Sequence, residues 1–89
     1  MVQVLGAGSQ SCGQWVEERG TDSYAELVHT SWVTGYLTGY QDGGPVSLTD
    51  QQTSDNAARS AWLDNYCQAN PLDNLLAATR GLWDELASR

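Results

Sequence analysis

Leu72-Asp73-Asn74-Leu75-Leu76-Ala77-Ala78-Thr79-Arg80-Gly81-Leu82-Trp83-Asp84-Glu85-Leu86 is the stretch on which the fold turns. Leu72, Leu75, Leu76, Thr79, Leu82, Trp83 and Leu86 recur every three or four residues. That spacing winds them onto one face of an α-helix, with Thr79 as its one polar member. A stripe this apolar has to be buried, and in so short a chain it can be buried only against other helices. Just upstream, Asn70-Pro71 suits a helix cap and first helical position, and Asp73 in the first turn complements the helix dipole.

Working outward, the chain predicts three more helices and no strand. Ser54 or Asp55 caps one that places Ala58, Ala61, Trp62, Tyr66 and Cys67 towards one side. It ends near Asn70, because a residue before proline avoids helical geometry. A longer helix begins at Thr21 or Asp22, with Tyr24, Leu27, Val28, Trp32, Val33, Tyr36, Leu37 and Tyr40 at amphipathic spacing. Gln41-Asp42-Gly43-Gly44-Pro45 stops it, and residues 43–53 form a loop in which Val46-Ser47-Leu48 is too short for a strand. Ser11 caps a short first helix from Cys12 to about Arg19, stopped by Gly20. Residues 1–10, with Gly6-Ala7-Gly8-Ser9, read as a flexible lead-in, and residues 11–89 as a single helical domain. The predicted architecture is all-α: a small four-helix, disulfide-stapled single domain.

Composition narrows the function classes. Eighty-nine residues, 9.7 kDa, make one domain, and 40% apolar content permits a small core. Eleven acidic residues face four basic ones, all arginine, for a net charge of −7 and a pI near 4.1. With no lysine and no basic face, the chain is not suited to nucleic acid or to an anionic membrane surface. No apolar run approaches the roughly 20 residues of a membrane span.

Cys12 and Cys67 are the only cysteines, and neither sits in a C-x-x-C pair. Two cysteines and one histidine fall short of the ligands a structural zinc site needs. A single disulfide fits best, with two buried free thiols in a cytosolic protein as the alternative. In the loop-entropy model a closure of this length contributes about 4 kcal/mol. A bridge implies an oxidising compartment, while Met1-Val2-Gln3-Val4-Leu5 is too short and uncharged for a signal peptide. Met1 therefore reads as an initiator placed on a mature exported chain.

Candidate chemistry is sparse. His29, the single histidine, is the residue any triad or acid–base scheme would use, yet no G-x-S-x-G locates a serine beside it. Near the middle of an amphipathic helix it is expected at the boundary or in solvent. Asp50 with Asp55, and Asp84 with Glu85, lie at caps and on polar faces, where acids serve solubility and helix dipoles. Gly6-x-Gly8 meets Ser11 where a dinucleotide loop has its last glycine. The P-loop spacing from Gly8 to Gly13 meets Gln14 where lysine is required. No EF-hand pattern is present. The chain is expected to be no enzyme, with no catalytic residue, cofactor or metal.

The most unusual local feature is Trp32-Val33-Thr34-Gly35-Tyr36-Leu37-Thr38-Gly39-Tyr40. Gly35 and Gly39 put two residues without side chains on one helix face, at about 1 kcal/mol each in helix propensity. Such a groove lets another helix or a ring approach the backbone, as small-xxx-small pairs do. Trp32, Tyr36 and Tyr40 form a parallel stripe that either packs on the last helix or anchors a partner, with both possible at once along its two edges. The candidate partner-binding set is Trp32, Gly35, Tyr36, Gly39 and Tyr40.

Three segments together resemble a known group. Cys12-Gly13-Gln14-Trp15, then Ser31-Trp32-Val33-x-Gly35-Tyr36-Leu37-x-Gly39-Tyr40, then Trp62-Leu63-Asp64-Asn65-Tyr66-Cys67-x-x-Asn70-Pro71-Leu72 are similar to small exported bacterial helical proteins of the HdeA/HdeB-like superfamily, including related type VI secretion immunity proteins. The resemblance covers roughly residues 5 to 88 and rests on scaffold motifs. It implies an all-helical fold, a Cys12–Cys67 bridge, a periplasmic or secreted location and frequent homodimers, and it carries no catalytic residue. Two roles follow from it. Immunity-type members bind a toxin through a fixed surface, and −7 suits a basic toxin, since complementary charge speeds association. Immunity-type members often carry further cysteines, however. Acid-chaperone members expose apolar surface to unfolded periplasmic clients at low pH, where protonated carboxylates would leave the four arginines and His29 as the side-chain charges. Those members are typically lysine-rich, unlike this chain. The expectation is a non-enzymatic periplasmic protein-binding module, with the acid chaperone as its alternative and a small enzyme using His29 behind both.

Overall fold

The computed structural model describes residues 3–89 and contains four α-helices: α1 Cys12–Glu18, α2 Ser23–Gly43, α3 Asn56–Ala69 and α4 Leu75–Ala87. No strand forms among the described residues; one isolated antiparallel bridge pairs Ser11 with Asn74. The all-helical, disulfide-stapled architecture expected from the sequence is the architecture found.

Each helix starts where a short polar side chain satisfies the free N–H groups of its first turn. Ser11 Oγ accepts from Gln14 N (3.1 Å), Asp22 Oδ1 from Tyr24 N and Ala25 N (both 3.1 Å), and Asp55 Oδ1 from Ala58 N (2.8 Å). After α1 the chain reverses at Gly20, whose φ of 77° lies in the left-handed region that glycine enters without a Cβ penalty.

The last helix begins later than the sequence predicts. Its cap is Asn74, whose Oδ1 accepts from Ala77 N (2.8 Å), not Asn70. The reason lies across the molecule, at the start of α1. Cys12 N donates to Asp73 O (2.6 Å) and Gly13 N to Pro71 O (3.0 Å), so residues 71–73 serve as the acceptors that the first turn of α1 lacks. Leu75 N donates to Gln10 O (2.8 Å), and Tyr66 Oη donates to Asp73 Oδ2 (2.6 Å). That bond, with burial and the carboxylate charge behind it, pushes the Tyr66 phenol above its ordinary pKa. A segment held this way cannot also be the first turn of a helix. Leu72 accordingly points outward, 98% exposed, and drops out of the expected stripe.

The core sits between α4, α3 and α1. Leu75, Leu76, Ala78, Thr79, Leu82, Trp83 and Leu86 of α4 are buried. Thr79 donates its hydroxyl to Leu75 O (2.7 Å), so the one polar residue of the stripe is satisfied inside its own helix. Against them pack Trp15, Leu63, Val33 and Leu37 and the Cys12–Cys67 disulfide, whose two cysteines are fully buried. On α3 the buried face is Ser60, Leu63 and Cys67, with Ala58 and Ala61 exposed and Trp62 and Tyr66 half-buried. This face is turned from the predicted one towards α1, to which Cys67 is bonded.

Residues 6–9 form a 3-10 turn in which Ala7 and Gly8 are buried, where the sequence suggested a flexible lead-in. Its cause is tertiary: the turn packs on α2 and α4, and a Cβ at Gly8 would overlap the six-membered ring of Trp32. Met1 and Val2, the first residues of the expected lead-in, lie outside the described residues.

Candidate functional site

Helix α2 is the longest element and the least buried. Of its 21 residues only His29, Val33 and Leu37 are buried. The eight apolar positions expected to face the core therefore divide. Trp32 and Tyr36 are half-buried, whereas Tyr24, Leu27, Val28 and Tyr40 are exposed, Tyr24 by 76% and Leu27 by 62%. The exposed side of α2 runs through Tyr24, Leu27, Val28, Ser31, Thr34, Gly35, Thr38 and Gly39. From Leu27 to Gln41 no residue of the helix is Asp, Glu, Lys or Arg, in a chain with fifteen of them.

The five candidate partner-binding residues fall into two groups. Trp32, Tyr36 and Tyr40 form a continuous aromatic row, with ring centroids 5.5 Å and 5.9 Å apart, and Tyr40 reaches Trp83 of α4 at 4.6 Å. Trp32 Nε1 donates to Leu5 O (2.6 Å), which ties the row to the N-terminal segment. This row is the inner edge of α2. Gly35 and Gly39 form the outer edge, with nothing within 4 Å of where a Cβ would stand. An apolar groove of about 360 Å³ lies where Trp32, Gly35 and Tyr36 of α2 meet Val4 and Leu5 of the N-terminal segment and Leu76 of α4. The arrangement offers shape and apolar contact.

His29 is 3% exposed, and it is neither in solvent nor at a boundary as its sequence position suggested. It stacks on Trp15 (centroids 5.7 Å apart), its Nε2 donates to Gln10 Oε1 (2.6 Å), and Glu18 Oε2 lies 3.5 Å from the same nitrogen. These contacts join α1, α2 and the N-terminal segment. No group of three His, Cys, Asp or Glu side chains spaced to hold a metal occurs among the described residues.

A second cluster, absent from the sequence-level candidates, locks α1 to α3 and α2. Arg19 Nε and Nη2 donate to the two carboxylate oxygens of Asp64 (2.7 and 2.9 Å), and its Nη1 donates to Glu26. Trp15 Nε1 also donates to Asp64 Oδ1 (2.7 Å), and the guanidinium carbon stands 5.6 Å from the Trp15 ring centroid. Burial acts to raise the Asp64 pKa, but the hydrogen bonds from Arg19 and Trp15, with the Arg19 charge, outweigh it and hold the carboxyl below the usual aspartate value. Arg19 is held further into its charged form, chiefly by Asp64 against the cost of its own burial, with Glu26 adding to it. Asp64 falls within the quoted Trp62–Leu72 segment. Its partners stand 49 and 45 residues away, beyond the reach of any local pattern.

A buried disulfide of this kind belongs to oxidising compartments. No helix is long and apolar enough to cross a membrane among the described residues. No protein family, curated protein or solved structure matches this chain.

Proposed function

We propose that this chain is a non-enzymatic protein-binding module of the periplasm or the secreted space, acting through the outer face of α2. One observation carries the reading. A 21-residue helix keeps Tyr24, Leu27 and Val28 in water and continues them as an uncharged strip over Ser31, Gly35 and Gly39. Contiguous exposed apolar surface rimmed by polar residues is the usual mark of an interface. The resemblance to immunity-type members agrees with a fixed surface of this sort. The test is a photo-crosslinking residue at Ser31, with the same residue at the exposed Gln68 of α3 as control, expressed in the native host. A discrete adduct of one protein from Ser31 and none from Gln68 is expected; no adduct at Ser31, or equal labelling at both, would overturn the reading.

An acid-triggered chaperone is the second reading, favoured by the Arg19–Asp64–Glu26–Trp15 cluster. Protonation of the Asp64 carboxylate at low pH would release the bonds from Arg19 and Trp15 that join α1 to α3. A chain that keeps its near-ultraviolet spectrum at pH 2 and leaves clients aggregating is no acid chaperone.

A further inference from the structure

The four arginines of the chain keep different company. Arg19 is paired with both Asp64 and Glu26, and Arg80 shares its pocket with Asp84. Arg59 and Arg89 have no carboxylate within 4 Å among the described residues, in a chain with eleven acidic side chains. Yet these two meet at one place. They line, with Trp62, Asn65, Leu82 and Leu86, a cavity of about 220 Å³ between the first half of α3 and the end of α4. Arg59 also borders a pocket of about 100 Å³ beside Leu37 and Leu48, and a surface groove of about 430 Å³ beside Leu27 and Ser31. No Asp or Glu lines any of the three among the described residues.

The acids next to these arginines in sequence do not serve them. Asp55, four residues before Arg59, accepts from Ala58 N and caps α3. Glu85, four residues before Arg89, has no oxygen within 4 Å of it. The main-chain oxygen of Arg89 accepts from Gln52 Nε2 (3.5 Å). Within the chain Arg59 finds only a main-chain carbonyl, donating Nη1 to Ser54 O. Its Nε is buried without a partner among the described residues, and so is the Oγ of Ser54, which lines the same cavity. A buried donor without an acceptor carries an uncompensated desolvation cost, so both groups favour an acceptor brought against them.

An anion with an apolar body fits these walls. A guanidinium matches a carboxylate through two parallel N–H···O bonds, and the half-buried Trp62 with the buried Leu82 and Leu86 lowers the local dielectric. The net charge of −7 opposes anions at long range, which favours a monoanion over a phosphate dianion. At the packing of benzene in a cavity of roughly 150 Å³, this cavity of about 220 Å³ holds about nine heavy atoms. We propose that the cavity between α3 and the end of α4 binds a small monocarboxylate, its carboxylate held by Arg59 and Arg89 and its apolar body by Trp62, Leu82 and Leu86. This stands apart from the protein-binding reading, whose crosslink at Ser31 can succeed or fail without it.

The experiment titrates the whole nitrogen-15-labelled chain at pH 7 with benzoate, with benzyl alcohol as its uncharged counterpart and with inorganic phosphate. Benzoate is expected to shift the Trp62 indole and Asn65 side-chain amide signals and to saturate at about 1 mM or tighter. Benzyl alcohol and phosphate should each bind at least about tenfold more weakly. Arg59→Gln should weaken benzoate binding about tenfold or more, and Arg80→Gln should leave it unchanged. Arg89→Gln changes an exposed side chain, so it leaves folding intact where Arg59→Gln, which gives up the bond to Ser54 O, does not. It should weaken binding about threefold or more. No saturable shift with benzoate would overturn the proposal. Equal binding of benzyl alcohol or phosphate, or benzoate binding indifferent to Arg89→Gln, would overturn it too.

Discussion

Helices α2 and α4 rank in opposite order by length and by burial. Helix α4 buries seven of its 13 residues, and α2 only three of its 21. Both present apolar side chains at helical spacing, and by pattern alone they look equally suited to a core. What separates them is geometry. Helix α4 lies between α1, α2, α3 and the N-terminal turn, so its whole apolar face has neighbours. Helix α2 meets the core along His29, Val33 and Leu37 at four-residue steps, with Trp32 and Tyr36 half-buried beside them, and its Tyr24, Leu27 and Val28 face outward. The same periodicity thus builds the core in one helix and leaves an exposed apolar face on the other.

The sharpest way to break the contrast is to remove what both helices are built upon. Replacing Cys12 and Cys67 with serine together should lower unfolding free energy by about 4 kcal/mol, read by urea denaturation. The wild type treated with reductant under denaturing conditions should match that variant. Next in size is a pair of equal truncations. Leu82→Ala in α4 should cost about 3 kcal/mol, because it leaves a cavity in a closed core. Leu27→Ala in α2 should change stability by less than about 0.5 kcal/mol. Comparable losses at the two positions would mean that α2 is packed after all.

Asp64→Asn should cost about 1–2 kcal/mol at pH 7, since it removes a charged acceptor shared by Arg19 and Trp15. The Asp64 pKa is lower folded than unfolded, so its contribution is full above the unfolded value and is lost as pH falls through the folded one. Wild type and variant should therefore draw together as pH falls through the folded Asp64 value, which thermal melts from neutral to acid pH will test. A gap that does not narrow at all as pH falls would exclude the carboxylate as its source.

The smallest effect has the opposite sign. Gly35→Ala and Gly39→Ala should each raise stability by up to about 1 kcal/mol, since the new methyl meets nothing and the helix gains propensity. Gly8→Ala, by contrast, should be destabilising, because its methyl collides with Trp32.

Much of the fold was legible in local signals. Ser11, Asp22 and Asp55 begin helices as their side chains predict, Gly20 ends one, and the α4 stripe is buried from Leu75 onwards. The misplaced features share one cause. Asn70-Pro71 is a sound helix start by its own chemistry, but the backbone there is engaged by α1. His29 looked like a boundary residue because nothing near it in sequence shows that Trp15, Gln10 and Glu18 will surround it. Tyr24, Leu27 and Val28 looked like core because periodicity marks a face without saying whether anything covers it. The candidate site was legible in part: Gly35 and Gly39 stood out as costly residues, whereas the Arg19–Asp64 cluster, assembled from residues 45 apart, did not.

By itself, then, the sequence determined the helices, most of their caps, the charge and the cysteines available for a staple, because these depend on neighbours within a turn or on simple composition. Only the tertiary structure decided which apolar faces are spent on the core, where α4 begins and which glycines stand open. Those outcomes depend on contacts between segments tens of residues apart, and a periodic stripe carries no information about what will lie against it.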